Sequence, residues 1–165
     1  MDNLTITTEC LRDLVAFHSE RIAGYEAMLS KLALEEQCLA TLFNAFIKQS
    51  VQLKRELLEV GAVWGMGEDQ LQYDNGKFGL AWSVVKTVFS SRIPSYSLDK
   101  CKSGENALLI AYHCVEGTEG LQPSVRLLIN RQKREVIAAR NWIVHFEGLR
   151  SQTVPPPPQQ LAVVS

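Results

Sequence analysis

Apolar residues return at three- and four-residue steps in four stretches of the chain. The first runs Leu11, Leu14, His18, Ile22, Tyr25, Leu29, Leu32, and the second Leu39, Phe43, Phe46, Ser50, Leu53, Leu57, Val60. The third runs Leu98, Cys101, Glu105, Leu108, Tyr112, Val115, and the fourth Val125, Leu128, Gln132, Glu135, Ala139, Trp142, Phe146, Leu149. Such spacing puts the named residues on one face of a helix, and sustained over several heptads it is the pattern of helices packed in a bundle.

The punctuation sets the expected boundaries. Thr7 or Thr8 suits the N-cap of the first helix, and Glu35 and Glu36 suit the first turn of the second through the helix dipole. Gly61 follows the second helix, the Gly117–Gly120 segment ends the third, and Pro123 opens the fourth. The spacing therefore predicts helices over about 8–30, 34–60, 95–116 and 123–149.

Helices one and two meet within a few residues, as do three and four, so each pair should run antiparallel. Between the second and third lies a long connector. A helix of roughly 25 residues is about 38 Å long, and the connector is long enough to return along it. Within it, Phe78, Trp82, Val85 and Phe89 share a face, which predicts a short amphipathic helix over 77–89 after an Asn75-Gly76 turn. The fold class expected is all-α: a ferritin-like antiparallel four-helix bundle over residues 1–150, with a long crossover carrying a short extra helix. Pro155 to Pro158 forbid helix and favour polyproline II, so 151–165 reads as a disordered proline-rich tail.

Several polar residues interrupt the apolar stripes at mid-helix. His18, Glu105 and Glu135 stand where leucine belongs, with Ser50, Gln132, Tyr25 and Tyr112 on the same seams. A carboxylate buried without a partner costs several kcal/mol, so these groups must be paired, protonated or metal-bound. A carboxylate-bridged di-iron centre needs a Glu from each of two helices and Glu-x-x-His from each of the other two. That set is missing here: Ala138 follows Glu135 by three, and the second helix has no Glu-x-x-His. One imidazole and two carboxylates, His18, Glu105 and Glu135, would suffice for a single Fe, Mn or Zn ion. The competing expectation is a buried hydrogen-bond network in which His18 pairs with Glu105 or Glu135, with Ser50, Gln132, Tyr25 and Tyr112 satisfying the rest.

Charge and composition narrow the function classes. The 165 residues carry a net charge of -1 and 21% charged residues, which supplies no bulk attraction for nucleic acid or an anionic membrane. No basic-then-apolar leader opens the chain and no uncharged run would span a bilayer, so the expected compartment is the cytoplasm. Cys10, Cys38, Cys101 and Cys114 form no CxxC pair; the first three fall in helical patterns and should pack as small apolar residues. Trp64, Trp82 and Trp142 should pack in the core or connector, and His113 and His145 should face solvent. No P-loop, Rossmann glycine pattern or nucleophile elbow is present.

Several segments carry a family resemblance. They are Ser19-Glu20-Arg21-Ile22-Ala23-Gly24-Tyr25-Glu26, Leu42-Phe43 with Lys48-Gln49-Ser50, Lys54-Arg55-Glu56-Leu57, Gly76-Lys77 with Ala81-Trp82, Cys101-x-x-Gly104-Glu105, Ala111-Tyr112, and Val125-Arg126-x-Leu128-Ile129 with Gln132. In this order they resemble a bacterial family of four-helix-bundle proteins of unknown function, related to the ferritin-like fold. The resemblance implies the bundle and its crossover helix, and no particular activity. Lys48, Lys102 and Arg140 depart from it, standing where two acidic residues and a His are common. The expected function is a non-enzymatic structural, interaction or stress-associated bundle, with no cofactor, assembling as a homodimer or a larger oligomer. Two alternatives are a ferritin-like metal-binding or oxidase-like protein on the reduced ligand set, and a small-molecule carrier using space near Phe78, Trp82 and Phe89.

Overall fold

The computed structural model describes residues 2–65 and 98–153. Among them helices are the sole regular secondary structure, with α1 over Asn3–Leu29, α2 over Gln37–Val63, α3 over Leu98–Glu116 and α4 over Pro123–Thr153. The helix expected over 77–89, and the carrier space near Phe78, Trp82 and Phe89, lie outside the described residues. So do residues 154–165.

Local chemistry explains the ends. Asp2 caps α1, its Oδ1 accepting the Thr5 N–H at 2.7 Å. The expected caps Thr7 and Thr8 lie a turn further in, because Asp2 satisfies the free N–H groups earlier. Thr8 instead donates to the Leu4 carbonyl, and buried Thr7 accepts the Gln122 N–H at 3.3 Å, tying α1 to the turn before α4. Glu35 and Glu36 fall just before α2 rather than in its first turn. Successive turn bonds, Lys31 N–H to Met28 O, Leu32 N–H to Leu29 O and Glu36 N–H to Ala33 O, delay the helix until Gln37. Pro123 opens α4, where its missing N–H costs nothing. The helix runs through Thr153, into the stretch read as tail.

The α3–α4 turn is built around two devices. Arg126 donates to the carbonyls of Glu116 and Thr118, closing the C-terminus of α3. Gly120 has φ +85°, and a Cβ there would sit 2.9 Å from Asn3 Oδ1 and 3.0 Å from Ile6 Cδ1. The left-handed backbone demands glycine, whereas the side-chain ends of Asn3 and Ile6 on α1 can shift aside. Gly120→Ala is expected to destabilise by about 1–3 kcal/mol, read as a lowered urea midpoint. An unchanged midpoint would show that the turn leaves its left-handed conformation at no cost.

Side-chain pairings give the arrangement. As α1 advances from His18 to Tyr25, its partners on α2 recede from Ser50 through Phe46 to Phe43. Opposite chain order also relates α3 to α4, where Lys102 meets Glu147, Asn106 meets Arg140 and Tyr112 meets Gln132. The two hairpins meet through α1 against α3, where Tyr112 reaches His18 and Glu105 reaches Arg21, and through α2 against α4, where Gln132 reaches Leu53.

The α2 seam is buried as the spacing predicts, from Leu39 to Leu57, and the α3 seam from Cys101 to Val115. The α4 seam is different. Val125, Ile129, Gln132, Val136, Ala139 and Ile143 face the core, while Leu128 is half-buried and Trp142 and Leu149 are exposed. Helix α4 carries two overlapping apolar stripes, and the more β-branched one packs inward. Trp142 is thus not a core residue. Cys38 is likewise exposed, whereas Cys10 and Cys101 are buried. Burial, and then the Glu105 carboxylate, push the Cys101 thiol up to about 12, so it stays protonated and inert. His113 and His145 are exposed. No described helix is long and apolar enough to cross a membrane.

Candidate functional site

At mid-height, side chains from all four helices form one connected polar layer. Its charged part is Arg21, which the α1 backbone places three residues after His18. Arg21 and Glu105 are both fully buried and meet in a two-point pair, Nε to Oε2 at 2.9 Å and Nη2 to Oε1 at 2.5 Å. Tyr25 donates its hydroxyl to Glu105 Oε2 at 3.1 Å. The other terminal nitrogen of Arg21 donates to Gln49 Oε1 at 2.9 Å, Ser50 Oγ at 2.8 Å and, more weakly, the Phe46 carbonyl. The guanidinium also lies 5.2 Å from the Phe46 ring centre and 5.8 Å from that of Tyr25, a cation–π cradle. Burial would lower the Arg21 pKa, but the Glu105 charge and hydrogen bonds outweigh it and hold it above its ordinary value. Arg21 stays a cation, with Glu105 as its partner.

From Arg21 a directed chain crosses the bundle, and its far end dictates every proton position. Gln132 places its Nε2 3.2 Å from the Leu53 carbonyl and 3.0 Å from Glu56 Oε1, both acceptors only, so the amide nitrogen must face them. Gln132 Oε1 therefore accepts the Tyr112 hydroxyl at 2.7 Å. With its proton committed, the Tyr112 oxygen can only accept from His18 Nε2, at 2.5 Å. His18 Nδ1 is then the bare nitrogen and accepts from Ser50 Oγ at 2.9 Å, while Ser50 accepts from Arg21. His18 is a neutral Nε2–H imidazole. Its pKa lies well below the ordinary value because of burial first, then the charges of Arg21 and Lys54.

The chain reaches the surface at Glu56, which also receives Arg131 Nη2 at 2.9 Å. Burial would raise the Glu56 carboxyl, but hydrogen bonds from Arg131, Gln132 and Gln52 hold it below the ordinary value. Burial, foremost, drives the Tyr25 and Tyr112 hydroxyls well above the usual phenol range, so both remain donors.

Of the residues singled out from the sequence, His18, Glu105, Ser50, Gln132, Tyr25 and Tyr112 are brought together here, all buried. Glu135 is not. Its side chain is 46% exposed and pairs with Arg131 at 3.2 Å, and only its backbone carbonyl meets the layer's edge, accepting from Gln49 at 3.0 Å. The α4 seam turns inward at Gln132 and Val136, which carries Glu135 to solvent. His18 contacts neither carboxylate; Arg21 is the partner of Glu105. The signal for Arg21 was present, since it lies seven residues after core Leu14 and seven before half-buried Met28.

The arrangement does not fit a metal ion held by His18, Glu105 and Glu135. Both ring nitrogens of His18 and both oxygens of Glu105 are engaged, and the positive charge beside Glu105 is a guanidinium. Among the described residues no group of three or more His, Cys, Asp and Glu side chains is placed to hold a metal. Lys48 is exposed, Lys102 pairs with Glu147 and Arg140 with Asn106. No family model, curated protein or solved structure matches this chain.

Proposed function

We propose that the protein is a ferritin-like, antiparallel four-helix bundle, akin to the bacterial family it resembles, with a non-enzymatic structural or interaction role in the cytoplasm, acting as a homodimer. The observation that carries this reading is the closure of the polar layer on itself. Arg21 supplies internally the positive charge that a bound cation would supply to Glu105, and His18 spends both nitrogens on Tyr112 and Ser50. A layer so saturated is a register lock. It joins the α1–α2 hairpin to the α3–α4 hairpin in one alignment, because a slip along either seam would strand buried donors and a buried charge. The crossover is supported by chain order: with α1 opposed to both α2 and α3, the latter two run the same way.

The test is metal content by mass spectrometry on tag-free protein, beside the His18→Ala/Glu105→Ala double variant. The expected result is far less than one ion per chain in both, with the wild-type melting temperature unmoved by Fe(II), Mn(II) or Zn(II). A ligand bound only to the native state must stabilise it, so near-stoichiometric metal lost in the double variant would overturn this reading. Sedimentation velocity tests the dimer; a monomer at all concentrations would remove it.

A further inference from the structure

The second apolar stripe of α4 runs beside the N-terminal half of α2 on the outside of the bundle. Between them the surface opens into a groove of about 360 Å³, walled by Leu42, Phe46, Trp142, Phe146 and Leu149. A second hollow of about 260 Å³ adjoins it, bounded by Ala138, Asn141 and His145. Trp142 stands between the two, 59% exposed. No Asp, Glu, Lys or Arg among the described residues lines either hollow.

This patch is laid out symmetrically along the helices. Gln49 bonds to Glu135 and Leu53 to Gln132, so continuing the antiparallel count sets Trp142 level with Leu42. On both helices that level falls near the middle of the uncharged lining, which runs from Cys38 to Phe46 and from Ala138 to Leu149. A twofold axis across the helices at this level would set α2 and α4 of a second copy antiparallel to their own counterparts. Residues near such an axis meet their own copies, so a charge there would repel itself. The centre of the patch carries none among the described residues, and an open ring beside a hollow is self-complementary: each Trp142 enters the hollow next to the other. Charges away from the axis meet different residues. Exposed Lys48 lies six residues past Leu42, while Glu36 lies six before it and exposed Glu35 seven before it, at the start of α2. The rotation carries Lys48, about 9 Å from the axis along α2, to the end of the partner's α2 that bears these two carboxylates. The two Lys48 groups stay about 18 Å apart along the helices, beyond the screening length of about 8 Å.

The area is sufficient. A helix the length of α2 is about 40 Å long, and two packed helices are about 20 Å wide. The face therefore offers about 800 Å² per copy, the usual share of a stable interface. An apolar centre around a tryptophan with charges at the rim is also the usual make-up of one. We propose that this face joins two copies of the chain in a twofold contact centred on Trp142, with Lys48 of each copy against Glu35 and Glu36 of the other. The proposal rests on the homodimer reading above and assigns its surface.

Sedimentation velocity over a concentration series tests it on the full chain. The wild type should dimerise, and Trp142→Asp should weaken the dimer at least about a hundredfold, since each dimer loses two central aromatic anchors. The helical circular dichroism should be unchanged, because Trp142 is a surface residue. Lys48→Glu alone, and Glu35→Lys with Glu36→Lys, should each weaken the dimer about tenfold, because like charges then face each other at both ends. An equimolar mixture of these two variants should regain the wild-type affinity, since every facing pair is again opposite in sign. Mixing repairs a mismatched interface and not a misfolded chain. A dimer that Trp142→Asp leaves intact would overturn the assigned face while keeping the homodimer. Charge variants that match the wild type, or that gain nothing on mixing, would overturn the twofold register. A wild type that stays monomeric at all concentrations would remove both the proposal and the homodimer reading.

Discussion

Glu105→Ala and Arg21→Ala are each expected to lower the unfolding free energy by about 3–5 kcal/mol, because each leaves the other's charge buried and unpaired. Both side chains are fully buried, and the pair makes two charge-assisted bonds to each other besides those to Tyr25, Gln49 and Ser50. Glu105→Gln should cost nearly as much. Arg21 remains a cation in every variant that keeps it, and an amide cannot neutralise it. The informative control is Arg21→Met with Glu105→Leu. Removing both charges in favour of apolar groups of similar size is often neutral for stability, so the double variant should lie well above either single alanine variant. Urea unfolding of the four variants checks this. Single variants within about 0.5 kcal/mol of wild type would mean the pair is open to solvent. A double variant as poor as the sum of the singles would mean the two residues act independently.

Stability is expected to fall between pH 7.5 and 5.5 through His18 alone, by an amount on the order of 1 kcal/mol. The direction follows from proton counts. Burial, then the Arg21 and Lys54 charges, keep His18 neutral in the folded protein to well below its ordinary value of 6.5. The unfolded chain protonates this imidazole near 6.5, so below that pH it binds one proton more than the native state. Stability therefore rises with pH through this window and is lost as pH falls. The contribution is complete above about 6.5, and acid erodes it until the folded pKa is reached. His18→Gln should be less stable at pH 7.5, since it breaks the Ser50–His18–Tyr112 chain, yet it should lack this share of the slope. Denaturant titrations at several pH values in this window provide the check. A wild type with a flat profile, or a variant with an undiminished slope, would show that His18 is solvated or already charged.

The helices, their pairing by short loops and most of the polar layer were legible in the chain itself. The α2 seam, Leu39, Phe43, Phe46, Ser50, Leu53 and Leu57, reads directly because the opposite face of that helix is polar, so only one stripe can be buried. His18, Glu105 and Gln132 stood out because a polar residue on an otherwise apolar seam breaks a strong periodicity. Helix α4 resisted the same reading. Its two apolar stripes share Val125, Gln132 and Ala139, and periodicity alone cannot say whether Val136 and Ile143 or Glu135 and Trp142 accompany them inward.

Arg21 was missed for a related reason. A long cation near mid-helix ordinarily marks a solvated face, and its heptad position, shared with Leu14 and Met28, competes with the neighbouring register through Ile22. The buried side chain is tolerable only because Glu105, 84 residues away in sequence, arrives to meet it. That partnership depends on how two hairpins dock, which no local pattern encodes.

What the sequence determined by itself is the four long helices and the presence of a polar level inside the bundle, since both follow from short-range spacing and from the cost of burying unpaired groups. Tertiary structure decided which stripe of α4 faces the core, that a guanidinium neutralises Glu105, and which tautomer His18 holds. These are properties of contacts between helices, where a rotation that carries one residue past its neighbour exchanges a buried side chain for an exposed one.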